Sequence, residues 1–174
     1  LFPVRGVSES GQFRRIPFPA GAHGETSVVG ARASMIWAKL TAQLVGKPYK
    51  AGATGPDAYD CMGLVIKTQR KMGWKMPKEF EGWSLENYAE RFDADPEGGL
   101  AVFERLLDEH CTRIDPHFLK RGDVLIVKIG ENGQRIPGVY AGKRQFLTVV
   151  KDRKVRIYGA DKHFTVEQGW RYGR

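Results

Sequence analysis

The 174-residue sequence predicts an α+β fold in one domain, on three observations. Apolar residues recur at helical spacing in several segments between residues 31 and 111. The last third breaks into short β-rich runs parted by hairpin turn signals. At 41% hydrophobic the composition can build a core, yet no apolar run approaches the roughly 20 residues of a membrane helix.

Residues 1–30 hold Pro3, Pro17 and Pro19 among Gly6, Gly11, Gly21, Gly24 and Gly30, and no period survives there. They read as an extended N-terminal arm. Its apolar residues, Leu1, Phe2, Val4, Phe13, Ile16 and Phe18, favour an arm docked on a neighbour over a free linker. The stretch carries no signal-peptide pattern, and a start at Leu1 is expected of a trimmed or processed chain.

The first helix is predicted over 31–45, with Ile36, Leu40 and Leu44 on one face and Gly46 and Pro48 ending it. A second begins at Asp60 or Cys61 and runs to about Met72. Asp60 is its N-cap, Gly73 its stop, and Leu64, Val65 and Thr68 face the core. Residues 74–118 read as a helical insertion. Within it Ser84 caps a short helix to about Phe92, and a longer helix spans about 98–111 with Leu100, Phe103, Leu106 and Leu107 on one side. Strands follow at 121–130, 136–142, 145–150 and 154–159, parted by "ENGQ", "GK" and "KDRK". They predict an antiparallel sheet.

The net charge of +8 suits a polyanionic partner without choosing one. No Lys/Arg block is interleaved with stacking aromatics, which disfavours direct nucleic-acid binding. Cys61 and Cys111 are too few for a disulfide framework and fit no metal spacing. His110 beside Cys111 reads as a helix end. No cofactor or metal is expected.

The informative stretch is "PYKAGATGPDAYDCMGLVI" (48–66), where a Gly-rich loop leads to a cysteine at a helix start. Only a thiolate attacks well, and a helix N-terminus or adjacent imidazole is needed to ionise a thiol at neutral pH. Cys61 has the first of these. The loop 52–55 is short-chained enough for the close backbone approach of an oxyanion-binding cleft.

This stretch resembles the nucleophile motif of the NlpC-type cell-wall cysteine peptidases, a papain-like family. Pro48, Tyr49, Gly52, Pro56, Asp60, Cys61, Gly63, Leu64 and Val65 match in order, with Ala53 for a Gly and Met62 for a Ser. "LKRGDVLIV" (119–127) and "GVYAGKRQFL" (138–147) are similar to the family's next strand and hairpin. The resemblance implies an NlpC-type domain over 31–174, Cys61 as nucleophile, and Tyr49, Gly52 and Asp60 as binding residues. It implies His at the positions of Ile136 and Thr148, where neither side chain can take a proton. Met62 is then expected to fill the cleft. Of His23, His110, His117 and His163, the last, placed after all the strands, is the best substitute base.

Similar proteins occur in tailed phages as tail-tip components. "EFEGWSLENY" and the "GWRYGR" ending fit that layout. Three readings follow. One is a structural component of a phage tail tip, with a degenerate site, held to other tail-tip or baseplate proteins by its arm. That reading implies a virion protein made in the host cytoplasm. The second is an active cysteine endopeptidase or amidase on peptidoglycan stem peptides. The third is a basic module that contacts nucleic acid.

Overall fold

The computed structural model describes residues 28–173 except 131, 132 and 162. Two helices come first, α1 (Val28–Leu44) and α2 (Cys61–Lys71). A small hairpin, β1 (Glu79–Phe80) with β2 (Trp83–Ser84), precedes α3 (Tyr88–Ala94) and α4 (Pro96–His110). Then come β3 (Cys111–Ile114), a 3₁₀ turn at Pro116–Phe118, β4 (Val124–Ile129), β5 (Gln134–Gly142), β6 (Gln145–Thr148), β7 (Arg156–Gly159) and β8 (Phe164–Tyr172).

The last six strands form one sheet in the order β3-β8-β4-β5-β6-β7, with every pair antiparallel. The chain is thus α+β, as predicted. β4 is buried at Val124, Leu125, Ile126 and Val127 in succession, so both faces of the sheet are covered at its centre. α2 packs on β5 and β6. α4 reaches β3 and β8, and Arg135 on β5 ties it down through a two-pronged bond to Glu104, while its Nε donates to Glu167 on β8.

The second helix has its predicted bounds and cap, and Leu64, Val65 and Thr68 are buried. Leu100, Phe103, Leu106 and Leu107 form the buried side of α4, which starts two residues earlier than expected because Pro96 sits at its first turn behind the capping Asp95. Four expectations need correction. The inner face of α1 is Trp37, Leu40 and Leu44, while Ile36 is exposed. Ser84 ends β2 and Asn87 flanks α3; the Ser84 hydroxyl accepts from the amides of Glu86 and Asn87, a turn ahead of the helix rather than its cap. The 74–118 insertion includes β3, which joins the main sheet. The sheet extends past 159, because β8 inserts between β3 and β4. The expected arm lies outside the described residues up to 27, and residues 28–30 already belong to α1.

Candidate functional site

Asp60 is the hub of the site. Its backbone is extended (φ −96, ψ 179), which turns the chain into α2, and its Oδ1 accepts from the Gly63 amide at 2.7 Å. Its Oδ2 accepts from the Gly52 amide at 2.7 Å and from the Tyr88 hydroxyl. Its own N–H donates to the Ala53 carbonyl at 2.9 Å. One buried carboxylate thereby joins the loop, the start of α2 and α3. Burial raises the Asp60 pKa, opposed by the Tyr88 hydroxyl and then by the amides of Gly63, Gly52 and Met62. Burial, with the Asp60 charge behind it, also raises the Tyr88 pKa, so Tyr88 is the donor of the pair.

The glycines follow from this packing. A Cβ on Gly63 would lie 2.2 Å from the Ala53 carbonyl oxygen. A Cβ on Gly52, whose φ is +70, would lie 2.2 Å from the Ala89 Cβ. The loop comes close for Asp60 and α3. The Gly52 amide, in the loop expected to shape an oxyanion-binding cleft, donates to the Asp60 carboxylate.

Cys61 is the first residue of α2 and only 8% exposed. Its thiol pKa is pushed up to about 12, by burial first and the Asp60 charge second; the amides of Met62 and Cys61 pull the other way and lose. Removal from water outweighs the helix N-terminus, which disfavours the thiolate at neutral pH.

Ile136 is buried on β5 opposite Val127. Thr148 is fully buried at the end of β6, and its hydroxyl donates to the Pro137 carbonyl at 2.8 Å. Both positions lie on the β5 and β6 strands that α2 packs against, and Thr148 is tied to Pro137, the residue after Ile136. His163 does not follow all the strands, as the sequence implied. It lies in the exposed turn before β8, its amide donating to Asp161 and its carbonyl accepting from Gly130. β4 separates β8 from β5, roughly 10 Å of sheet. His110 ends α4 edge-on to Phe80, His117 pairs with Asp115, and His23 lies outside the described residues.

Tyr49 is half-buried, and its amide donates to the Arg153 carbonyl at 2.9 Å. Met62 lines an apolar cavity with Ile66, Phe80, Trp83, Tyr88 and Phe103, between α2 and the insertion; Cys61 is not part of its wall. This is not the cleft-filling place expected of it. Tyr88 was missed in the sequence. It stands in a stretch already singled out, "EFEGWSLENY", but no spacing rule ties it to a carboxylate 28 residues away.

An α2 that opens on an Asp-Cys pair and packs on the β5–β6 hairpin defines a papain-like arrangement. Residues 46–174 match the NlpC/P60 family, and the chain belongs to that family. In three dimensions it is similar to NlpC2 from Trichomonas vaginalis (TM-score 0.54, 17% identity, 80% of this chain and 46% of that one). It is also similar to NlpC1 from the same organism (TM-score 0.53, 20% identity, 85% and 45%). It thus spans less than half the length of either. A third similar structure is RipD from Mycobacterium tuberculosis, described as a non-catalytic NlpC/p60 domain protein adapted to peptidoglycan binding (TM-score 0.47, 17% identity, 80% and 95%). No curated protein matches the sequence.

Proposed function

We propose that this chain is a catalytically silent NlpC/P60 domain, serving as a structural and binding component of a phage tail tip or tail-like particle. The silent site is carried by a buried Cys61, its thiol pKa raised by that burial, on a helix packed against strands that hold Ile136 and Thr148. Thiol attack needs a base to take the proton and an acid to protonate the leaving amine. Ile136 has no titratable group, and the Thr148 hydroxyl is spent on a backbone carbonyl. The tail-tip assignment draws on the sequence alone, through its N-terminal arm and its "EFEGWSLENY" and "GWRYGR" segments. In this reading the arm binds other tail-tip or baseplate proteins, and the domain contacts peptidoglycan without cutting it.

The test is release of soluble fragments from peptidoglycan and stem peptides. The parent and Cys61→Ala are expected to give the same background. Cleavage by the parent that Cys61→Ala abolishes overturns the proposal. Such a result returns the active-peptidase reading, whose support is the pair of amides at the Cys61 sulfur. The assembly half is tested separately. The chain is expected in purified particles by mass spectrometry, and deletion of residues 1–27 is expected to remove it from them.

A further inference from the structure

We propose that the apolar cavity between α2 and the insertion receives the arm of a second copy of this chain, with Phe18 as the anchor. The inference rests on the reading that the arm holds a neighbour, and it names the neighbour and the place. Met62 and Ile66 floor the cavity from α2, while Phe80, Trp83, Leu85 and Val102 line it from the insertion. The floor is buried, but Phe80, Trp83 and Val102 are only half-buried and Leu85 is exposed. Both rings are held in place: Arg91 lies over Trp83 at 5.9 Å, and His110 stands edge-on to Phe80. A fixed apolar wall left partly in water gains by being covered.

The size of the cavity selects the kind of occupant. Its open space is about 70 Å³, well short of the roughly 300–1,000 Å³ of a small-molecule pocket. It takes an apolar side chain presented by a backbone, not a cofactor. The stretch "FRRIPFP" (13–19) has the matching chemistry. Phe18 stands between Pro17 and Pro19, which fix their own φ and bar the residues before them from helix, so little freedom is lost on docking. Extended proline-rich segments dock on aromatic-lined grooves for this reason. Charge agrees with the fit. Residues 79–109 hold ten of the chain's 20 acidic residues and only two of its 28 Lys and Arg. Glu79 beside Phe80 and Glu86 beside Leu85 are exposed and form no ion pair among the described residues. They face Arg14 and Arg15 of the incoming arm in this arrangement, and Arg70 and Lys78, which also line the cavity, offer Glu9 a partner. Residues 20–27 separate the stretch from α1, and such a link extends to roughly 25–30 Å, enough to cross to an adjoining copy. Donor and acceptor are different surfaces, so the contact is heterologous and builds a row or a ring.

The test is sedimentation of the full chain over a concentration series, read as weight-average mass. The parent is expected to self-associate reversibly. Phe18→Ala in the arm and Leu85→Glu in the cavity are each expected to weaken association about tenfold or more. Glu79→Lys with Glu86→Lys is expected to weaken it about fivefold at low salt and less at high salt. Ile157→Ser, at an exposed apolar residue on β7 outside the cavity, is the control that changes nothing. Circular dichroism checks that the variants fold. Mixing the first two variants is decisive. Phe18→Ala keeps its cavity and Leu85→Glu keeps its arm, so together they should form a one-to-one pair that grows no further. A parent that stays monomeric up to about 200 µM overturns the second copy as occupant. Association that neither variant weakens, or a mixture that stays monomeric, overturns the site. The particle test of the arm deletion stands apart. A chain monomeric on its own, yet lost from particles without its arm, leaves the assembly reading in place and removes this one.

Discussion

At the scale of single residues the thiol of Cys61 shows which of two opposed effects wins. The helix start favours the anion, and burial beside the Asp60 carboxylate disfavours it by more. In a Cys111→Ser background, iodoacetamide alkylation of native Cys61 should rise about tenfold per pH unit from pH 7 to 10 without a plateau, because the thiol stays mostly protonated throughout. A plateau with a midpoint at or below about 8.5 would show an activated cysteine instead. Gly63 is the other residue whose identity is forced. Gly63→Ala puts a methyl against the Ala53 carbonyl, and neither backbone can move without breaking the Asp60 cap. The expected loss is about 3 kcal/mol in denaturant unfolding. A variant within about 0.5 kcal/mol of the parent would mean the loop is not tied as described.

Between elements, two buried polar links decide how the insertion sits. Tyr88 on α3 donates to Asp60 at the head of α2. Tyr88→Phe should cost about 1–3 kcal/mol and raise amide exchange in α3 more than in the sheet. Asp108 on α4 accepts from Trp170 Nε1 on β8 at 2.8 Å and from two nitrogens of Arg113 on β3 at 2.6 Å. Arg113, ahead of Trp170, holds the Asp108 carboxyl below its usual range. A carboxyl lowered by folding adds stability above its unfolded pKa of about 3.9, and that contribution fades as pH falls through the lower folded value. Asp108→Asn should therefore be less stable than the parent at pH 7, and the gap should close in the acid limb below about pH 4. Solvent around Arg113 keeps the effect small, on the order of 1 kcal/mol. A gap that widens on acidification would contradict the assignment.

The whole molecule is closed by its last strand. β8 pairs with β3 on one side and β4 on the other, so the sheet's order is complete only once residues 164–172 have arrived. Arg171 fixes that end: its Nε and Nη2 donate to the nearly buried Asp123 carboxylate at 2.9 and 2.7 Å, and Nη2 also reaches the Phe118 carbonyl. Arg171→Ala leaves Asp123 without its cation and should cost about 2 kcal/mol. Truncation after His163 removes the fully buried Trp170 and bares the edges of β3 and β4. It should abolish the cooperative thermal transition, and a truncated chain that melts cooperatively would show that the sheet can close without β8.

What the sequence determined by itself was local. The Asp60 cap, the start of α2 at Cys61, the buried side of α4 and the hairpins after 121 each depend on residues within a turn or two of one another. That Ile136 and Thr148 carry no titratable group was legible as well, since it holds in any fold. The tertiary structure decided the rest. A strand is recognised by alternation, and β8, "FTVEQGWRY", reads weakly because its partners lie some 40 and 60 residues upstream. The thiol's state depended on how much chain covers it, and desolvation has no local signature. Tyr88 reached Asp60, and residues 46–49 met 153–155, only through the folding of everything between.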